Sequence, residues 1–428
     1  MKSLFRNGLV WTGNAFERAD ILVTDGVTAA VEPSISLSAA DRCFDLQGLS
    51  VFPGFADVHV HLREPGFSYK ETVASGTMAC AAGGYTAVCA MPNLSPVPDS
   101  GETLAAEEEI IRRDAVVRVL PYASITMGRT GRGRVTDMEA LKGRVCGFSD
   151  DGTGVSDGET MREAMRRCAA AGSLIAAHCE DLSLIPPGAP IHDGVWAREH
   201  GFPGIPSESE WKPIVRDIAL AKETGCRYHV CHVSCRESIE MIARAKAEGA
   251  DITCETAPHY LLLCDEDLRD EGRFKMNTPL RSRADRDALV RAFLDGTVDC
   301  LATDHAPHAE SEKSSGLKGS AMGIVGIETA FPLIYTHFVL PGLMPMGDLL
   351  DRVCYTPRRR FGIEGGIRPG ERFEMCAFDL SREYAIDPSA FYSKGRATPF
   401  TGWRVRGLWR MTCCGGRAIT PEGTEEYQ

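Results

Sequence analysis

The sequence predicts an α/β fold: a (β/α)8 TIM-type barrel with a small composite β-sandwich domain built from the N- and C-terminal segments. Two observations support this prediction. Eight short apolar runs alternate with stretches of helical periodicity in the middle of the chain, and eight strand–helix repeats are typical of such a barrel. The two ends of the chain contain strand-like pieces and turns instead.

These changes of pattern place the expected domain boundaries. Residues 1–52 contain short strands, with hairpin signals at Asn7-Gly8 and Asp25-Gly26, and would form the N-terminal part of the small β domain. Residues 53–365 would form the catalytic barrel, and residues 366–428 would form the C-terminal part of the small β domain. The pairing of the two ends is not visible in the sequence, so it is inferred from their similar pattern alone.

Two helices of the expected barrel have clear end signals. Ser207 followed by Glu210 predicts a capping box at the start of one helix, and Gly225 predicts its end. The second helix is expected from about Ala284 to Asp295, with Gly296 as its stop signal. Both helices lie between apolar runs, as the strand–helix repeat requires.

The composition narrows the classes of function. A net charge of −12 argues against nucleic acid and anionic membranes as partners. No apolar run approaches the roughly 18 residues of a membrane helix, and the N-terminus has no signal-peptide pattern. The 16 cysteines are scattered without a C-x-x-C pair, so we expect reduced thiols in a cytoplasmic protein.

Chemically capable side chains end seven of the eight apolar runs. Active sites of (β/α)8 barrels lie at the C-terminal ends of the strands, so these side chains are expected to converge. They are His59 with His61, Asn93, Asp151, His178, His232, His259 and Asp304. The third run, V-V-R-V-L-P-Y-A-S-I, offers only Ser124 and Thr126.

Six of the strand-end residues form a donor set for divalent metal ions of the zinc type. They are His59, His61, Asp151, His178, His232 and Asp304. Six ligands exceed the needs of one tetrahedral ion, whereas two ions that share a bridging group would use them all. A lone histidine in an apolar run is more often a core residue, but chance convergence of all six is a poor explanation.

Two short stretches add detail to this expected site. In D-V-H-V-H-L-R, Arg63 follows His61 by two residues, so strand alternation would project it to the same face as the histidines. In F-S-D-D-G, Asp150 and Asp151 are adjacent, so only one of them points inward. An Asp-Asp-Gly turn is also a common surface feature, and local sequence leaves both readings open.

A series of motifs then carries a family resemblance. In order they are D-V-H-V-H-L-R-E-P-G, A-M-P-N, F-S-D-D-G, A-A-H-C-E, H-V-C-H-V-S, A-P-H-Y-L-L-L, K-M-N-T-P-L-R, A-T-D-H-A-P-H and the C-terminal S-K-G-R-A-T-P-F. Together they resemble dihydroorotases of the class I type, within the amidohydrolase superfamily. The H-x-H element alone would indicate only the superfamily.

The resemblance implies a zinc-dependent enzyme with two Zn²⁺ ions per chain. By position, one ion would be bound by His59 and His61 with Asp304 near it, and the other by His178 and His232. Many relatives bridge the ions with a carboxylated lysine, but residues 143–158 contain no lysine. The chain therefore resembles the branch that bridges with aspartate, and Asp151 is the matching position.

The implied reaction is the reversible cyclisation of N-carbamoyl-L-aspartate to L-dihydroorotate, in de novo pyrimidine (UMP) biosynthesis. A hydroxide bridging the metals would attack the ring amide, and Asp304 would shuttle the proton. Arg63 can hold the substrate carboxylate bidentately. The substrate-binding set implied by the resemblance is His61, Arg63, Asn93, Asn277, His308, Met322 and Gly323.

Other functions and assemblies remain open at this point. A hydantoinase- or allantoinase-like hydrolase acts on cyclic amides without the α-carboxylate and usually has a bridging lysine, so Arg63, Asn93 and Asp151 count against it. A catalytically inactive structural partner of aspartate carbamoyltransferase would have lost metal ligands, and here all are present. A small-molecule substrate, a homodimer and a possible association with aspartate carbamoyltransferase are expected.

The segment 309–321, A-E-S-E-K-S-S-G-L-K-G-S-A, follows His308 and precedes Met322. It is polar and shows neither helical nor strand periodicity. A passive surface loop is the simple interpretation. Loops this long inside a compact domain are more often functional or disordered, and substrate-contacting positions flank this one, so we expect a mobile lid over the mouth of the barrel.

Overall fold

The chain begins with strands of a β-sheet. The computed structural model describes residues 1–427. The first strands are β1 (Lys2–Trp11), β2 (Phe16–Thr24), β3 (Val27–Glu32), β4 (Arg42–Asp45) and β5 (Ser50–Pro53). Asp25-Gly26 forms the expected hairpin turn between β2 and β3. The hairpin expected at Asn7-Gly8 is wrong, because β1 continues through these residues with a shift of register against β2.

Eight parallel strands form the expected barrel. The strands of this region are β6 (Phe55–Val60), β7 (Tyr85–Ala90), β8 (Arg118–Ala123), β9 (Gly147–Phe148), β10 (Leu174–Ala177), β11 (Ile191–His192), β12 (Gly204–Ile205), β13 (Arg227–Val230), β14 (Ile252–Thr256) and β15 (Cys300–Leu301). β11 and β12 form a separate pair, and the other eight follow one another around the sheet in chain order. A parallel bridge between Val60 and His305 joins the last strand region to the first.

Helices connect and cover the barrel strands. They are α1 (Val73–Ala82), α2 (Gly101–Asp114), α3 (Met138–Leu141), α4 (Gly158–Ala170), α5 (Val195–His200), α6 (Glu208–Thr224), α7 (Arg236–Ala247), α8 (Pro258–Leu262), α9 (Arg283–Asp295), α10 (Glu310–Lys313), α11 (Gly316–Gly319), α12 (Ala330–Ile334), α13 (Met346–Leu350) and α14 (Thr356–Phe361). Single π-helical turns follow α12 and α13. Within residues 1–427, none of the helices combines the length and apolar character that a membrane crossing needs.

The end signals of α6 and α9 are confirmed only in part. Gly225 and Gly296 terminate the two helices in the left-handed conformation. The capping box expected at Ser207 is wrong, because the Ser207 side chain makes no capping hydrogen bond. Glu210 is buried and accepts hydrogen bonds from the backbone N–H groups of Ser234 and Cys235 instead. Its carboxylate therefore ties α6 to the loop after β13.

The two ends of the chain pair as expected. The C-terminal strands are β16 (Met375–Ala385), β17 (Arg404–Cys414), β18 (Arg417–Thr420) and β19 (Gly423–Glu426). β16 lies antiparallel between β5 and β17, so strands from both ends form one nine-stranded sheet. The composite β domain beside the barrel is thus confirmed as a fold element.

A continuous apolar core joins this sheet to the barrel. The Phe331 ring lies 5.4 Å from Phe52 and 4.5 Å from Phe378, measured between centroids, and all three side chains are buried. Aromatic contacts of this kind stabilise a fold beyond the area they bury. Because the core crosses the junctions, the boundaries at residues 52/53 and 365/366 stay our proposal.

Candidate active site

The end of β6 directs two buried histidines at one carboxylate. His59 lies on β6 and His61 just beyond it, so alternation places their rings on the same side. His59 Nε2 is 3.3 Å from Asp151 Oδ1, and His61 Nε2 is 3.5 Å from Asp151 Oδ2. The two imidazoles therefore face the two oxygens of Asp151.

A second pair of histidines approaches the same carboxylate from the other side of the barrel. His178 follows β10 and His232 follows β13. His178 Nδ1 and His232 Nε2 each lie 3.4 Å from Asp151 Oδ1 and 2.9 Å from each other. Asp151 thus lies between two histidine pairs, which is the position expected of a bridging ligand.

Of the two adjacent aspartates, Asp151 is the one that faces the histidines. Asp150 Oδ1 accepts hydrogen bonds from the backbone N–H groups of Ile125 (2.8 Å) and Thr126 (3.1 Å). Its carboxylate therefore holds the loop after β8. Asp304, in the loop after β15, places Oδ1 3.1 Å from His61 Nε2.

The donor groups fit divalent metal ions. His59 donates Nδ1–H to Glu255 Oε1 at 2.7 Å, which leaves its Nε2 facing Asp151, buried and without a hydrogen-bond partner. His178 has the same arrangement, with Nε2 3.2 Å from Glu180 Oε2 and Nδ1 towards Asp151. A carboxylate behind each histidine fixes its tautomer and leaves one lone pair for a metal. The ligand atoms of His59, His61 and Asp151, and those of Asp151, His178 and His232, lie within 4.8 Å of one another.

The electrostatics of the cluster also require positive charge. Burial alone would raise the pKa of Asp151, but His59 and hydrogen bonds from His178 and His232 hold it well below its usual range. Burial lowers the pKa of His61 to about 4, so its ring is neutral. Burial would lower the pKa of His178 too, but its bonds to Asp151 and Glu180 raise it to about 10. Protons or metal ions must balance the buried carboxylates.

Arg63 reaches the site from a loop and not by strand alternation. β6 ends at Val60, and Arg63 has a φ of +62°. Its Nε donates to the carbonyl of Pro307 at 3.3 Å, and its Nη2 lies 3.5 Å from His308 Nε2. No carboxylate within residues 1–427 lies within 4.0 Å of the Arg63 guanidinium, which leaves its charge available to a ligand.

His308 is held as a neutral ring beside Arg63. Its Nε2–H donates to the carbonyl of Met322 at 2.7 Å, and Lys70 Nζ donates to its Nδ1 at 3.3 Å. Burial and the charges of Arg63 and Lys70 lower the pKa of His308 to about 3. Gly323, with a φ of +128°, allows this approach, because an added Cβ would lie 3.1 Å from His308 Nε2.

The two asparagines of the expected substrate set line the same site. Asn93 Nδ2 donates to the carbonyl of Asp151 at 2.6 Å, and Asn277 Nδ2 donates to Glu180 Oε1 at 3.0 Å. The side-chain oxygens of both asparagines are buried and have no hydrogen-bond partner. They are free to accept N–H groups of a ligand.

Two functional carboxylates were missed by the sequence reasoning. Glu255 contacts His59 and also accepts the backbone N–H of His232 at 3.2 Å, so it supports both histidine pairs. The sequence feature that could have identified Glu255 is its position as a charged residue inside the apolar run D-I-T-C-E-T. Glu180 follows His178 by two residues in A-A-H-C-E, and that spacing could have identified it.

The segment 309–321 is more structured than its sequence indicated. It contains the single-turn helices α10 and α11, and Leu317 is fully buried. Lys313 Nζ donates to the carbonyls of Lys275 (3.0 Å) and Ala321 (2.7 Å). The segment thus contains two short helices although its sequence has no helical periodicity, and the expected lid function stays a prediction.

The C-terminal S-K-G-R motif anchors the loop that carries Arg63. Glu71, fully buried in this loop, accepts Ser393 Oγ–H at 2.5 Å and the backbone N–H of Lys394 at 3.1 Å. Lys394 Nζ donates to the carbonyl of Ser68 at 2.6 Å. Residues near the end of the chain thus hold a loop near its beginning.

Comparisons with known proteins agree with this geometry. A family model described as "Dihydro-orotase-like" matches residues 48–238. A protein named dihydroorotase from Geobacillus sp. (strain WCH70) is 46% identical over 427 residues, covering 99% of this chain and 98% of the relative. A dihydroorotase from Bacillus caldolyticus is 47% identical over 409 residues and covers 95% of each chain.

Solved structures support the fold. The L-hydantoinase (dihydropyrimidinase) from Arthrobacter aurescens has a TM-score of 0.87 and 26% identity, covering 99% of this chain and 97% of its own. A dihydropyrimidinase from Brevibacillus agri has a TM-score of 0.86 and 22% identity, with coverage of 100% and 96%. Since proteins named dihydroorotase are 46–47% identical to this chain over nearly its full length, the chain belongs to the dihydroorotase family of cyclic amide hydrolases.

Proposed function

We propose that the chain is a zinc-dependent dihydroorotase that interconverts N-carbamoyl-L-aspartate and L-dihydroorotate in de novo pyrimidine (UMP) biosynthesis. The observation that carries this proposal is the position of Asp151 between two buried histidine pairs, beside an Arg63 without an acidic partner. The relatives named dihydroorotase support the same activity.

Two Zn²⁺ ions would be held by residues that share Asp151. His59 and His61 would bind one ion with Asp304 beside it, and His178 and His232 would bind the other. Imidazole nitrogens with carboxylate oxygens are a typical zinc donor set. When bound, such ions lower the pKa of a coordinated water from 15.7 to about 7 and polarise the carbonyl under attack.

Asp304 is proposed to move the proton. Its carboxylate lies 3.1 Å from His61 Nε2 and is nearly buried. Burial would raise the pKa of Asp304, but the hydrogen bond from His61 and the charge of His59 lower it, so the group is a carboxylate that can accept a proton. In ring opening it would take a proton from the attacking water and give it to the departing ring nitrogen.

Arg63 and the asparagines are proposed to orient the ring. The Arg63 fork can bind the substrate α-carboxylate, with the neutral His308 at its side. The free oxygens of Asn93 and Asn277 can accept the ring N–H groups. The Met322 carbonyl accepts the His308 Nε2–H, and Gly323 leaves room for the ring, so the backbone of both residues holds His308 beside the substrate. A hydrogen-bonded site of this kind rejects rings without the matching polar groups.

A hydantoinase-like activity is the second candidate, because the L-hydantoinase from Arthrobacter aurescens shares the fold at 26% identity. Hydantoin and allantoin have no α-carboxylate to pair with Arg63. An inactive structural protein is a third reading, and the complete set of six donor groups in one cluster argues against it.

One experiment separates these readings. Purified full-length protein is assayed with L-dihydroorotate, hydantoin and allantoin, and zinc is measured on the same sample. We expect turnover of L-dihydroorotate alone, with about two zinc ions per chain. Turnover of hydantoin or allantoin in preference would favour the second candidate, and the absence of metal and activity would favour the third.

Assembly and location are proposed from the resemblance. We expect a homodimer in the cytoplasm, a small-molecule substrate as the ligand and a possible association with aspartate carbamoyltransferase. The net charge of −12 argues against nucleic-acid and membrane partners. Light scattering after size-exclusion chromatography, alone and with that enzyme, would measure both assemblies.

A further inference from the structure

The backbone strain of the barrel points to one residue that has no assigned role. Outside the small sheet and its turns, four non-glycine residues within 1–427 have a clearly positive φ: Arg63 (62°), Arg129 (54°), His232 (33°) and Asp304 (45°). Such strain persists where surrounding structure imposes it, often at active sites. Arg63, His232 and Asp304 already belong to the site described above, which leaves Arg129.

Arg129 lies beside two residues of this site. It is in the loop after β8, the one barrel strand whose end supplies no expected site residue. Its Nη1 donates to the carbonyl of Asp151 at 2.6 Å and to Thr153 Oγ1 at 2.8 Å. Asn93 Nδ2 donates to the same Asp151 carbonyl. A Cβ added at Gly152 would lie 3.0 Å from Asn93 Nδ2 and 3.6 Å from Arg129 Nη1, so the two side chains flank this glycine.

The charge of Arg129 has no internal partner. No carboxylate oxygen within residues 1–427 lies within 4.0 Å of its guanidinium, and its Nε is buried without a hydrogen-bond partner. The same lack of an acidic partner holds for Arg63, on which the positive charge of Arg129 acts. Two guanidinium groups that repel each other and lack acidic partners are stabilised when an anion binds near both.

We propose that Arg129 is a second carboxylate-binding residue, which acts with Arg63 on the α-carboxylate of the substrate. This inference rests on the proposed dihydroorotase function and names a further determinant of its specificity. A carboxylate has about four lone-pair sites, so one guanidinium does not saturate it. Since Arg129 Nη1 holds the Asp151 carbonyl, its Nη2 is the group that would contact the substrate carboxylate. Rings without a carboxylate gain nothing from this second cation.

Orotate, the planar oxidised form of the ring, is the probe because it carries the carboxylate and is not a substrate for ring opening. The test compares Arg129→Gln with Arg132→Gln in full-length, zinc-loaded protein. Arg132 is the matched control, because it lies in the same loop, is exposed and has no ion pair within the described chain. The measurements are the inhibition constant of orotate, kcat and KM for L-dihydroorotate, and zinc content.

For Arg129→Gln we expect the orotate inhibition constant and KM to rise by about 10- to 100-fold, the range for loss of a hydrogen bond to a charged group. Zinc content should stay unchanged, and Arg132→Gln should match the wild type. A residue that only positioned Asp151 would instead lower kcat and zinc content with orotate binding retained, and that result would overturn the proposal. An orotate constant within twofold of the wild type would overturn it as well.

Arg129→Lys keeps the charge and covers the case in which the glutamine variant does not fold. An inhibition constant between those of the wild type and Arg129→Gln is expected, because lysine keeps the charge but lacks the two separate N–H groups that would hold the Asp151 carbonyl and the substrate together. An unchanged constant in both Arg129→Gln and Arg129→Lys would overturn the proposal. If the wild type itself neither opened L-dihydroorotate nor bound orotate, the proposed function would fail. Wild-type activity with no effect of Arg129 would reject only this inference.

Discussion

Replacing each of the adjacent aspartates Asp150 and Asp151 by alanine should have opposite effects on stability and on metal content. Asp151 faces four histidines at 3.3–3.5 Å, so Asp151→Ala removes the group shared by both proposed ions. We expect this variant to lose at least one zinc ion and nearly all activity. Its fold should persist, because the Asp151 side chain ties no backbone donor of another segment.

The expected loss of stability in Asp150→Ala follows from the hydrogen bonds of the Asp150 side chain. Its carboxylate accepts three backbone N–H groups, from Ile125 at 2.8 Å, Thr126 at 3.1 Å and Gly131 at 3.3 Å. The side chain is nearly inaccessible to solvent. Gly131 N–H also donates to Thr126 Oγ1 at 3.0 Å, so Asp150→Ala leaves the N–H groups of Ile125 and Thr126 without an acceptor. A buried donor left without an acceptor costs about 1–3 kcal/mol, so the free energy of unfolding should fall by about 2–6 kcal/mol. Both zinc ions should remain.

The assay is elemental analysis and thermal unfolding on the same two preparations. Asp150→Asn is the matched control, since it keeps one acceptor oxygen and should unfold between the wild type and Asp150→Ala. If Asp150→Ala lost zinc while Asp151→Ala retained both ions, the bridging aspartate would be Asp150. If both variants kept the wild-type zinc content, neither residue would bridge the ions.

Three further variants test the proposed roles. Asp304→Asn keeps the shape and removes the basicity, so kcat should fall by at least about 10²-fold; near-normal turnover would place the proton carrier elsewhere. Arg63→Lys should raise KM for L-dihydroorotate with both metals kept, because the fork is lost; an unchanged KM would remove Arg63 from the carboxylate site. Shortening residues 314–319 should lower kcat at constant zinc content, and full kcat would show that this segment is not a lid.

The hydrophobic periodicity of the sequence predicted much of the fold and most of the proposed metal ligands. The eight apolar runs predicted the barrel because strand burial produces a pattern that is local in sequence. The histidines were identifiable for the same reason, since a polar residue at the end of an apolar strand lies at the mouth of a barrel. His178 and His232 are 54 residues apart in sequence, yet each was found from its own strand.

Features that depend on distant contacts were not predictable in this way. Glu210 had the spacing of a capping residue, but contacts with the loop after β13 use its carboxylate. Arg63 was expected on a strand face, whereas the strand ends three residues earlier and a positive φ turns the side chain into the site. Asn7-Gly8 has the composition of a hairpin turn, and pairing with β2 makes it a bulge. In each case tertiary contacts outweigh the local preference.

The anchor between Glu71 and Ser393 has a consequence for biosynthesis. These residues are 322 positions apart, and β16 must lie between β5 and β17 before the terminal sheet is complete. A ribosome synthesises the chain from its N-terminus at about 5–20 residues per second, so β5 is made well before its partner β16. The loop with Arg63 is therefore secured only after nearly the whole chain has left the ribosome. Nascent chains stalled before residue 393 would contain every proposed metal ligand and still lack an ordered carboxylate-binding loop.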